Sequence, residues 1–205
     1  MCKNLLRALI ITISFLPLPS LASNNIQPAT IARVEQYLQK LTSLQANFMQ
    51  SAPNGDISSG KFFLKRPGKM RWQYDAPTPI LMVSDGSVMT YYDSELDQVT
   101  DLPIDDSLAG FLAQKDIKFN SKAIQIEEAS QQNSIIRIRI TQTDKKADGE
   151  LTMEFSDSPL QLRNLILKDA QAQTTNISLS DAKFDLPLED KLFVRPSNAL
   201  KRKHG

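Results

Sequence analysis

Cysteine is all but absent from this chain. The one cysteine, Cys2, precedes an apolar stretch at the N-terminus. Without a second thiol there is no disulfide and no cysteine metal site. Histidine is as scarce, with a single one, His204, next to the C-terminal residue. That excludes Ser-His and Cys-His nucleophilic machinery and histidine-based metal spacing. Long apolar runs are lacking too. The best candidate, Leu5 to Leu16, is broken by Arg7, Thr12 and Ser14. It falls short of the roughly 20 apolar residues of a membrane-spanning helix. Charge of one sign is also missing: 24 Lys and Arg stand against 23 Asp and Glu. Nucleic acid binding would want a basic surface interleaved with aromatics, and none is present. Asp105-Asp106 and Glu127-Glu128 are adjacent pairs. Neighbouring side chains diverge on a helix or strand, so these make poor acid–base pairs. No catalytic residue, metal or cofactor is expected, and no enzyme activity.

What is present begins with a targeting pattern. Lys3 and Arg7 supply a positive start, an apolar stretch follows, and Pro17 and Pro19 stop any helix. Ser20-Leu21-Ala22 then puts small residues three and one before a cut after Ala22. Residues 1–22 read as a cleaved secretory signal, against the alternative of an uncleaved anchor. Cys2 lies ahead of the apolar stretch, so it is not the acylated first residue of a mature lipoprotein. Export without disulfides suits a bacterial periplasm. The 205 residues less these 22 leave 183, enough for one domain, 23–205, with a full core. Its end, 195–205, carries Arg195, Lys201, Arg202 and Lys203. Such a tail is either a solvated end or a contact for anionic headgroups or an acidic partner.

Past the signal, Ile31, Val34, Leu38, Leu41, Leu44 and Phe48 recur at spacings of three and four. With Pro28 in the first turn, the spacing predicts one helix from Pro28 to Gln50. Strands follow in two sets. The first is 59–65, 69–74, 80–84, 87–92 and 98–101, with Asp85-Gly86 as a hairpin signal. The second is 123–128, 134–141, 150–155, 160–167 and 174–179. Ile136, Ile138 and Ile140 alternate with Arg137, Arg139 and Thr141, as in a half-buried antiparallel strand. Between the sets, Ile104, Leu108, Phe111 and Leu112 have helical spacing, but so short a helix must dock to persist. About ten strands in one domain tend to curl or close. The fold class is therefore α+β, mainly β. A long, strongly bent antiparallel sheet that curls or closes is expected, covered by a long N-terminal helix and a short second one.

The most informative stretch runs from Gly60 to Asp75, two arms hinged at Arg66-Pro67-Gly68. In the second arm Met70, Trp72 and Tyr74 share one face, because side chains alternate along a strand. The interior is expected to be lined by Phe62, Leu64, Met70, Trp72, Leu81 and Val83. That interior is either a pocket for acyl chains or a self-filled core.

These residues carry a resemblance. Gly60-Lys-Phe-Phe-Leu-Lys-Arg-Pro-Gly-Lys-Met-Arg-Trp-Gln-Tyr, Ala76-Pro77, Leu81-Met-Val-Ser-Asp-Gly, Tyr91-Tyr-Asp and Asp97-Gln-Val-Thr look like the LolA family, the periplasmic carriers of outer-membrane lipoproteins. Leu44-Gln-Ala-Asn-Phe-Met-Gln and the 162–181 region fit the same family. The resemblance implies an unclosed, half-open and strongly curved antiparallel barrel of 10–11 strands lidded by helices. Its partners would be acylated outer-membrane lipoproteins, an inner-membrane ABC transporter of the LolCDE type and an outer-membrane acceptor of the LolB type, with the carrier a monomer. It implies that Arg66 latches the lid through backbone hydrogen bonds. It places the lid helix on Ser107–Gln114, with Leu108, Phe111 and Leu112 as its apolar residues, and a pocket aromatic on Trp72. Met70 stands where the family often has an aromatic; its flexible thioether still packs against acyl chains. A carrier of another lipid or glycolipid on the same half-barrel is the alternative.

Overall fold

The computed structural model describes residues 26–104 and 108–195. The signal reading (1–22), Ser107 of the expected lid and the tail beyond Arg195 lie outside the described residues.

Eleven strands form one antiparallel sheet. They are β1 (Ser43–Ser51), β2 (Ile57–Lys65), β3 (Lys69–Tyr74), β4 (Ile80–Asp85), β5 (Val88–Asp93) and β6 (Gln98–Pro103). A second set follows: β7 (Ile124–Gln132), β8 (Ile135–Gln142), β9 (Gly149–Asp157), β10 (Leu160–Asp169) and β11 (Thr174–Phe184). The order is β6-β5-β4-β3-β2-β1-β11-β10-β9-β8-β7, so β6 and β7 are free edges and the barrel is not closed. Each half is a local meander; the pairing of β1 with β11 joins the halves.

The long helix is shorter than its spacing predicts. Helix α1 covers Pro28–Lys40, and Leu41 is already extended. Residues 43–51 form β1 instead, with Leu44, Ala46 and Phe48 buried in alternation. Leu41, Leu44 and Phe48 fit a helical stripe, but Leu44, Ala46 and Phe48 fit a strand equally well. The tertiary setting decided between them, because a strand here gives both β2 and β11 a hydrogen-bonded neighbour. The helix end is pinned from across the sheet. Thr42 donates from its amide (3.0 Å) and its hydroxyl (2.8 Å) to the Asp185 carboxylate.

The concave face holds the core. Val34 and Leu38 of α1 are fully buried against Leu44, Phe62, Leu64 and Met70 from one half and Ile136, Ile138, Met153 and Phe155 from the other. A 3₁₀ segment, Leu108–Ala113, and the loop through Ile117 and Phe119 close over this face. Gly110 permits the close approach, since a Cβ there would stand 2.1 Å from the Ile104 carbonyl oxygen.

The convex face has a smaller cluster. Phe63 packs with Leu188 and Phe193 from the segment after β11. Lys65 donates to the Leu188 carbonyl (2.7 Å), and Lys65 and Lys69 both grip Asp190 (2.6 and 2.9 Å). The two ammonium groups, Lys65 foremost, hold the Asp190 carboxyl at about 2, well below its ordinary value.

Candidate apolar site beneath the covering segment

The inward face follows from register. Phe62 pairs with Trp72 and Trp72 with Met82, while Leu64 pairs with Met70. Cross-strand partners share a face, so Phe62, Leu64, Met70, Trp72 and Met82 all point into the concavity. Leu81 and Val83 do not. They pair with Gln73 and Arg71, on the convex side, and Val83 stands near Phe193 there. Placing them in the interior is therefore corrected: Met82, between them, holds the inward position.

The inward residues divide again. Phe62, Leu64 and Met70 are packed solid at the α1 end. Phe62 stacks on Trp72 with ring centroids 4.0 Å apart, and Phe48 meets Trp72 edge-on at 5.1 Å. Beyond Trp72 the packing opens into an apolar cavity of ≈ 240 Å³. Trp72, Tyr74 and Met82 form one wall; Leu151, Leu165 and Ile177 form the other; Leu112 closes it. Of the expected lid residues, Leu112 touches this cavity, Leu108 borders an adjoining recess, and Phe111 packs on Phe119 at 5.7 Å. The second-half wall was missed because only the β1–β11 pairing brings it opposite Trp72. Gln50 sits at the rim and accepts from the Tyr74 hydroxyl at 2.8 Å.

Arg66 lies at the tip of the β2–β3 hairpin, between the covering segment and α1. Its Nε donates to the Leu112 carbonyl at 2.8 Å, and its Nη1 donates to the Leu38 carbonyl near the end of α1. That carbonyl belongs to the last helical turn, where no intrahelical donor remains. Beside it the Gly68 amide donates to the Ala113 carbonyl at 2.7 Å. Gly68 has φ +75°, and a Cβ there would meet Gly86 Cα at 2.6 Å, so the hairpin tip must be glycine. Burial pulls the Arg66 guanidinium down to about 10, and its Nη2 has no acceptor among the described residues. Arg66 is thus charged at neutral pH yet incompletely satisfied. Such a tie holds two carbonyls but is cheap to break.

Residues 39–196 match the family model described as outer membrane lipoprotein carrier protein LolA. The chain belongs to the LolA family. Two carriers have similar sequences along most of their length. The outer-membrane lipoprotein carrier protein of Nitrosomonas europaea is 28% identical, over 93% of each chain. That of Pseudomonas fluorescens is 31% identical over 83% of this chain and 87% of its own. A crystal structure of an uncharacterized conserved protein from Thermus thermophilus superposes with a TM-score of 0.50 at 12% identity. It covers 84% of this chain and 97% of its own, and shows a shared fold alone.

The site is mainly apolar. Its walls offer mainly carbon, two aromatic rings and a thioether, with Gln50 and Thr175 as polar margins, and the Arg66 guanidinium contacts backbone carbonyls rather than the cavity. Among the described residues no group of three or more His, Cys, Asp or Glu could hold a metal.

Proposed function

We propose that this chain is a periplasmic carrier that takes acylated lipoproteins from the inner membrane, shields their acyl chains and delivers them to the outer membrane. One observation carries this reading: an apolar cavity between the halves of an unclosed barrel, shut by a segment whose Leu112 carbonyl is held by Arg66. The cavity, ≈ 240 Å³, lies below the ~300–1,000 Å³ of sites for drug-sized ligands. An acyl cargo therefore needs the Leu108–Ala113 segment to move outward, and that segment acts as a lid.

The balance of energies fits a carrier. Each buried methylene is worth about 0.8 kcal/mol, so a full lipid anchor could bind almost irreversibly. Release needs an opposing term. Closing the lid and refilling its contacts with Leu112 and Arg66 supplies one, because the empty protein gains what the loaded one forgoes. Catalysis has no part in this cycle. The donor is an inner-membrane ABC transporter of the LolCDE type, and the acceptor is an outer-membrane receptor of the LolB type where one exists.

A release assay tests the proposal. Mature protein beginning at Ser23 is added to spheroplasts that make a labelled outer-membrane lipoprotein. The label is expected in the soluble fraction, in a one-to-one complex. Lipoprotein that stays on the membrane while the protein is folded would reject this cargo and turn the search to copurifying lipids or glycolipids.

A further inference from the structure

The apolar cavity has a polar neighbour. A recess of ≈ 350 Å³ shares Leu167 and Thr175 with it and reaches Leu108 of the lid. Its wall changes character across that boundary. Thr175 pairs with Leu167 and Asp169 with Gly149, so both stand on the inward face. Gln142 lies two residues beyond the inward Ile140 and joins them there, and Gln173 comes from the β10–β11 turn. The Asp169 carboxylate is taken up by the turn, accepting from the Gln171 and Gln173 amides at 2.9 Å each. Charges on the rim are mixed, with Lys168 3.9 Å from Glu150. Lys145 and Asp148 add to that mixed charge, and between these ionic groups stand two side-chain amides and a hydroxyl, which both donate and accept.

We infer that this recess is a second subsite, which binds the polar stem of the cargo: the first peptide amides after the acylated cysteine. The inference rests on the carrier reading. An acylated cysteine is an amphiphile whose greasy and polar parts are a few bonds apart, so an apolar chamber must open directly onto a polar exit. The opposite end offers none: Leu38, Leu64 and Met70 are packed solid there beneath Arg66. The boundary at Leu167 and Thr175 is where the stem passes. The Gln142 and Gln173 amides and the Thr175 hydroxyl can pair with a peptide backbone, whose groups likewise both donate and accept. That suits a carrier serving cargoes of unrelated sequence, and leaves specificity to the acyl chains.

The test compares two probes, a synthetic tripalmitoyl-cysteinyl hexapeptide and dipalmitoylglycerol, on the wild type and on the double variant Gln142→Leu/Gln173→Leu. Loss of about two hydrogen bonds should weaken lipopeptide binding about tenfold. Dipalmitoylglycerol, which lacks the peptide, should bind within about twofold of wild type, and this also reports that the cavity is folded. Unchanged lipopeptide affinity, or an equal loss for both probes, overturns the second subsite while leaving the carrier reading in place. A wild type that binds neither probe overturns both.

Discussion

Replacing Arg66 by leucine removes the tie between lid, helix and hairpin, and its magnitude can be worked from the contacts. The guanidinium makes two hydrogen bonds to carbonyls, at Leu112 and Leu38. Bonds from a charged donor are worth about 1.5–3 kcal/mol each. Only the Leu112 bond is broken when the covering segment moves, and burial of the guanidinium, which pulls it down to about 10, works against that bond. The net bias toward the closed lid is on the order of 1–2 kcal/mol, a roughly five- to thirtyfold shift in the open–closed balance. Arg66→Leu should therefore bind a fluorescent fatty acyl probe about five- to thirtyfold more tightly, since less closure must be undone. The same variant should accept lipoprotein from spheroplasts yet pass it on poorly to an outer-membrane acceptor. A titration with equal or weaker affinity, or transfer at the wild-type rate, would refute the reasoning.

Four further outcomes follow from the packing. Trp72→Ala strips the stack on Phe62 and the contact with Phe48, and should cost about 3–5 kcal/mol in a urea melt, with loss of acyl-probe binding. Met82→Ser should weaken acyl-probe binding whereas Leu81→Ser should not, because the two point to opposite faces of β4; equal effects would contradict the register. Gly68→Ala should destabilise by about 1–3 kcal/mol, since both its φ of +75° and the contact with Gly86 reject a Cβ; an unchanged melt would mean the hairpin tip relaxes freely. Asp190, whose folded-state value of about 2 lies below its ordinary 3.8, stabilises the convex-face strap above 3.8 and loses that contribution as pH falls through about 2. The stability gap between wild type and Asp190→Asn should therefore be open near neutral pH and closed near pH 2; a gap independent of pH would remove Lys65 and Lys69 as its cause.

The sequence by itself determined the local pieces. Ten of the eleven strands follow from period-two alternation between turn residues, because pleat direction and turn geometry are set within a few residues. The 69–74 arm comes out with its observed bounds, and Trp72 is legible as an inward aromatic. Three things needed the tertiary structure. Residues 43–51 fit both helical and strand periods, and only the two partners waiting at β2 and β11 made them a strand. The facing of β4 depends on its register with β3 across the 75–79 connection, which alternation cannot count, so the sequence alone does not tell that Met82 faces inward and Leu81 and Val83 outward. The acceptors of Arg66 are backbone carbonyls of Leu38 and Leu112, 28 and 46 residues away. Every residue carries such a carbonyl, so no residue type marks the ones used; only the fold, by ending α1 and bringing the covering segment to one hairpin tip, selected them.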